Sequence, residues 1–166
     1  EMQVFGIAGW SGSGKTTLVK KLIPVLVSKG ISVSTLKHAH HSFDIDKPGK
    51  DSFEHRLAGA NEVVISSAKR WAIIHENREF EEANLKSLLA KFSEVDLVLV
   101  EGFKTESYEK LEVYREINGK PLLQQNDPNI CGVASDIQIN NLEVPVFLSR
   151  IHIRRCRRPT RWSSGR

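Results

Sequence analysis

The segment Gly9-Trp-Ser-Gly-Ser-Gly-Lys-Thr-Thr17 carries the most specific chemistry in the chain. It matches G-x-x-x-x-G-K-[ST], a spacing suited to holding a chain of phosphates. Gly9, Gly12 and Gly14 let the backbone wrap phosphate oxygens, and the amides of the turn, including those of Ser11 and Ser13, converge as an anion nest. The helix that must open at this point adds the positive end of its dipole. Lys15 is placed to reach the β- and γ-phosphates, the Thr16 hydroxyl to ligate Mg²⁺, and Thr17 to contact the α-phosphate.

Such a site needs a carboxylate on a neighbouring strand to hold Mg²⁺, directly or through water. Asp96-Leu-Val-Leu-Val-Glu101-Gly102-Phe103 contains two acids flanking an apolar run. Ligands bind outside the carboxyl ends of parallel strands, so Glu101 is the expected partner and Asp96 a turn residue.

A second polar cluster, Lys37-His38-Ala39-His40-His41, ends a predicted strand and runs on through Asp44, Asp46 and Lys50. Three readings stand. Lys37, His38, His40, His41, Asp46 and Lys50 contact the γ-phosphate or a second anionic ligand; the histidines with Asp44 and Asp46 bind a transition metal; or the loop is simply solvated. Lys69-Arg70-Trp71 and Phe103-Lys104 are weaker cation–aromatic clusters.

Alternating strands and helices must position these groups. Residues 3–8 read as a buried strand, and apolar residues at 18, 19, 22, 23, 26 and 27 give Thr16–Lys29 a helical stripe, stopped by Gly30 and kinked at Pro24. Strands are expected over 31–36, 62–66, 71–75, 97–100, 111–114, 130–134 and 144–148. Helices are expected over 52–59, capped by Ser52, and 82–92. The pattern predicts an α/β fold of three layers with a mostly parallel central sheet and additional strands.

The full chain is 40% hydrophobic and 27% charged, with no run of about 18 apolar residues to span a membrane, which agrees with one globular domain, placed at residues 1–149. The two cysteines, Cys131 and Cys156, have no metal or redox spacing, so a reducing, cytoplasmic setting is expected. The net charge of +4 comes from residues 150–166, which hold seven arginines and no acid. Residues 1–149 carry 17 basic and 20 acidic groups, a formal net of −3. The tail reads as a non-native extension, as does Glu1 before Met2, or else as an arm for nucleic acid or an anionic surface. Nucleic acid is not expected as a partner of the domain.

No Asn-Lys-x-Asp segment is present to read guanine, but Cys131-Gly-Val-Ala-Ser-Asp136 follows a late strand. Asp136 there could accept from the N1–H and N2–H₂ edge of guanine, which adenine lacks.

The phosphate loop, Lys37-His-Ala-His-His41, Asp46-Lys-Pro-Gly-Lys-Asp-Ser52, Arg56-Leu-Ala-Gly-Ala60 and Val100-Glu-Gly-Phe-Lys104, in this order, resemble the molybdopterin-guanine dinucleotide biosynthesis protein B (MobB) family. The resemblance covers roughly residues 2–149. It implies a homodimer that binds GTP with Mg²⁺ and hydrolyses it slowly. It also implies partnership with the MobA-type molybdopterin guanylyltransferase and with the molybdopterin cofactor. Lys15 and Glu101 then serve hydrolysis, and the tail departs from the helical ending the family implies. A small-molecule kinase and a GTP-dependent metallochaperone are the alternatives.

Overall fold

A computed structural model describes residues 2–39, 42–78, 82–103 and 105–148. They fall into two compact units: one formed by residues up to His38 and from Ser93 onward, the other by Ala39–Phe92.

The first unit is a six-stranded sheet in the order β2-β5-β1-β6-β7-β8. The strands are β1 Gln3–Ala8, β2 Val33–Lys37, β5 Leu97–Glu101, β6 Lys110–Tyr114, β7 Ile130–Ser135 and β8 Val146–Leu148. All five pairings are parallel. Short apolar runs suit strands covered on both faces: Ile7, Val98, Leu99, Val100, Val113 and Val133 are all at most 2% exposed and form the core. Burying each such side chain is worth about 1.5–3 kcal/mol.

The helix α1, Lys15–Ser28, comes directly after β1 and its loop. Its stripe Leu18, Val19, Leu22, Ile23 and Leu26 is half-buried, whereas Val27 faces solvent. The helix runs through Pro24 as one element. Gly30, at φ 80°, ends it: the Gly30 amide donates to Val27 O and that of Ile31 to Leu26 O, which closes the last turn.

Asp96 lies just before β5, at the end of the strand away from the phosphate loop. It accepts from the Ser32 amide and hydroxyl at 2.7 and 2.6 Å, and these bonds hold its carboxyl below the ordinary 3.8. It is a turn residue, as expected. Lys110, 2% exposed, pairs with Asp127 at 2.8 Å. Burial alone would raise the Asp127 pKa, but the Lys110 bond and the Asn129 donors bring it below 3.8.

The second unit holds α2 Asp51–Leu57, an antiparallel hairpin of β3 Glu62–Ser66 and β4 Trp71–His75, and α3 Leu85–Leu89. Two sequence expectations need correction. The cap of α2 is Lys50, through its extended backbone, and Ser52 lies inside the first turn. α3 is shorter than the 82–92 expectation, because the Asn84 side chain caps it by accepting from the Ser87 amide at 2.9 Å.

Candidate functional site

The parallel register sets the site. Glu101 on β5 stands level with Ile7 on β1 and with Lys37 on β2, and Glu112 on β6 stands level with Ala8. The phosphate loop therefore leaves β1 between an acid on one flanking strand and an acid on the other.

The loop itself is tightly held. Gly9 adopts φ 141° and lies so close to β6 that a Cβ would stand 2.5 Å from Val113 O and 2.7 Å from Ser13 Oγ. Only glycine fits there. Gly12 and Gly14 also take positive φ, 78° and 98°, and Gly14 caps α1. The Lys15 ammonium lies within the loop, donating to Gly9 O at 2.8 Å and Trp10 O at 3.0 Å. Ser13 is buried, whereas Ser11 is exposed on the loop and Thr17 on the first turn of α1, with Thr16 beside it.

Glu101 is half-buried at the end of β5, where the chain turns sharply. Gly102 takes φ 107° and Phe103 φ 47°. A Cβ on Gly102 would overlap the His38 Cβ at 2.4 Å. The His38 amide donates to Glu101 O at 2.8 Å, and its ring meets that of Phe103 at 4.8 Å. The Tyr108 hydroxyl donates to Gly102 O and Phe103 O at 3.1 and 3.2 Å, and burial pushes its pKa up to about 12. His38 and Lys37 thus stand beside Glu101, as their place at the end of β2 predicts.

The other flank is a loop for which the sequence offers a turn signal, Asn118-Gly119, but no site residue. After β6 the chain makes two 3-10 turns, Glu116–Asn118 and Gln124–Asn126, before β7. The Trp10 indole donates to Pro121 O at 2.8 Å, and the Lys120 ammonium lies 5.7 Å from the centre of the Trp10 ring. Glu112, fully buried, accepts from the Leu123 and Gln124 amides at 2.8 and 2.9 Å; burial raises its pKa, which these two bonds partly offset. Asp136 accepts from the Glu116 amide at 3.1 Å and lies 3.9 Å from Arg115 Nε. Its carboxylate therefore fastens this same loop. Beside that turn signal, the sequence offers an acid, Glu112, set between Leu111 and Val113 in β6.

Of the residues expected to meet a second ligand, Asp46 belongs to a different arrangement. Within the second unit the Arg56 guanidinium donates to both oxygens of Asp46 at 3.1 and 2.6 Å, to Asp44 at 2.9 Å and to Glu76 at 2.8 Å. The Arg56 bonds to Asp46 first, then the Arg56 charge and a bond from Ser52, draw the Asp46 pKa below 3.8 against the cost of burial. Lys50 is exposed at the cap of α2. His40, His41, Lys104 and the tail from residue 149 lie outside the described residues. Among the described residues no group of three His, Cys, Asp or Glu side chains could hold a metal. Nor is any helix there long and apolar enough to cross a membrane.

Thr16 and Glu101 offer a hydroxyl and a carboxylate, a hard-oxygen set that suits Mg²⁺, which takes only one or two protein ligands and completes its shell with water and phosphate. The donor chemistry fits that ion.

The family model for molybdopterin guanine dinucleotide synthesis protein B matches residues 4–136. The chain belongs to the MobB family. It is 45% identical over 140 residues to the molybdopterin-guanine dinucleotide biosynthesis adapter protein of Escherichia coli, covering 82% of this chain and 80% of that one. It is 42% identical over 153 residues to the adapter protein of the same name from Haemophilus influenzae, covering 91% and 84%. The crystal structure of a MobB homolog from Bacillus stearothermophilus aligns with a TM-score of 0.65 at 26% identity, over 87% of this chain and 86% of that one. The MobB fold is thus the α/β fold with a parallel central sheet that the alternating pattern predicts.

Proposed function

We propose that this MobB-family chain is a GTP-binding adapter in molybdopterin guanine dinucleotide biosynthesis. It works beside the guanylyltransferase that joins GMP to molybdopterin. The observation that carries the reading is the placement of Lys15 inside the Gly9–Thr17 loop, with Glu101 on the neighbouring strand. The Gly9 and Trp10 carbonyls hold the ammonium in the loop, ready to exchange them for phosphate oxygens. Loop amides and the start of α1 then balance the charge of the phosphate chain. Thr16 and Glu101 would hold Mg²⁺, which when bound neutralises charge developing on the phosphate oxygens.

Hydrolysis is slow in this reading. Lys15 and the amides stabilise charge and Glu101 orients water or the ion, but no described side chain is assigned as general base or arginine finger. GTP turnover by the full chain should stay well below about 1 s⁻¹, the low end for efficient enzymes. A faster rate in steady-state phosphate release would contradict an adapter role.

The functional unit is a homodimer in the cytoplasm. Supporting this, one face of the β3–β4 hairpin carries Val64, Trp71 and Ile73 at 62, 66 and 45% exposure, an apolar face that a second copy would cover. Lys37 and His38, beside Glu101 at the end of β2, are assigned to contacts with the γ-phosphate or the molybdopterin partner. Asp46 enters only by shaping its loop through Arg56.

A further inference from the structure

The loop between β6 and β7 is fastened to the phosphate loop and to the sheet at several points. Trp10 holds Pro121, Glu112 holds Leu123 and Gln124, and Asp136 holds Glu116. Asn118 lies in this loop, at the end of its first 3-10 turn. Its Oδ1 lies 3.8 Å from where a Cβ on Gly12 would be, so the side chain stands against the middle of the phosphate loop. Its Nδ2 is buried with no hydrogen-bond partner. A buried amide N–H left unpaired costs about 1–3 kcal/mol, so a native structure retains one where something else pairs with it.

Polarity along the site says what that is. If Glu101, level with Ile7 on the strand beside β1, is the acid that serves the γ-phosphate, the γ end of the chain lies on the β5 side of β1. The α-phosphate and nucleoside then leave on the opposite side, over β6, where Asn118 stands. We propose that Asn118 is a specificity-determining residue of the nucleoside subsite, its Nδ2 donating to the 6-carbonyl of a 6-oxopurine. This inference rests on the nucleotide-binding reading above. Adenine presents an amino donor at that position and would leave the amide unpaired, so the site discriminates by donor–acceptor matching.

Calorimetry on the full chain tests this, with Mg-GTP, Mg-ITP, Mg-ATP and magnesium tripolyphosphate as ligands. ITP keeps the 6-carbonyl and lacks the 2-amino group, which separates a contact by Asn118 from one by Asp136. Asn118→Ala should weaken GTP and ITP by about tenfold alike, the loss of one hydrogen bond, and leave ATP and tripolyphosphate unchanged. Asn118→Asp, nearly isosteric, should move the preference toward ATP, and its unfolding transition shows that the fold survives if the alanine variant does not fold. Equal losses for all four ligands, or unchanged GTP affinity in a folded variant, would overturn the inference. So would a wild-type protein that binds nucleotides without favouring GTP and ITP, although its phosphate site would stand. A wild-type protein that binds neither nucleotide nor tripolyphosphate would remove the nucleotide reading itself.

Discussion

Trp10 and Pro121 are joined by a hydrogen bond of 2.8 Å from the indole N–H to the carbonyl oxygen, across 111 residues of sequence. The bond ties the phosphate loop to the β6–β7 loop, so the order of one depends on the other. Trp10→Phe keeps an aromatic ring and deletes the donor. It should cost about 0.5–1.5 kcal/mol of stability. Hydrogen exchange should quicken at residues 116–124 while β5 keeps its protection. Unchanged exchange in the loop would show that the bond does not fasten it.

Gly102 is a second point of close approach. Alanine there must accept φ 107° and place its Cβ 2.4 Å from that of His38. Strain of about 1–3 kcal/mol adds to an overpacking cost of similar size. Gly102→Ala should lower the urea midpoint markedly, whereas Gly49→Ala, at φ 79° with nothing within 4 Å of the new Cβ, should cost only the backbone strain. Equal midpoints for the two variants would contradict the contact.

The acids of this protein respond to pH in opposite directions. Glu112 has its folded pKa raised above the ordinary 4.5, so the folded state binds its proton more tightly than the unfolded chain does. Its contribution therefore favours folding at low pH and fades as pH rises from about 4.5 through the raised value. Asp46, Asp96 and Asp127 are held below 3.8, so their contributions are present above that value and are lost as pH falls through their folded pKa values. Glu112→Gln removes the first trend and leaves the second. It also turns an amide group toward two N–H donors, at a cost of about 1–3 kcal/mol. Thermal unfolding of both proteins between about pH 4 and pH 7 should show the advantage of the wild type shrinking as pH rises. A constant gap would mean that Glu112 does not titrate differently on folding.

Much of this architecture is legible in the sequence because apolar runs and the phosphate loop are local signals. Val98-Leu-Val100 announces a central strand, and Gly9 to Thr17 announces the phosphate-binding turn at the end of β1. Contacts between distant residues are what escape. Asp46 reads as a ligand until Arg56, ten residues on, is seen to take both of its oxygens. Trp10 reads as a variable position of the phosphate motif until Pro121 is beside it. The cap of α2 escapes for a different reason: a serine side chain is a statistical preference, whereas Lys50 reaches the extended cap conformation with its backbone alone.

The central claim, a GTP site built on Lys15, is tested most directly by calorimetric titration of Mg-GTP and Mg-ATP into the wild-type protein and into Lys15→Ala. Binding should favour GTP in the wild type and fall by about 10–100-fold in the variant, the scale of a charge-assisted contact to phosphate, with the unfolding transition preserved. GTP affinity unchanged in a folded Lys15→Ala protein, or a wild type that binds ATP as well as GTP, would contradict it.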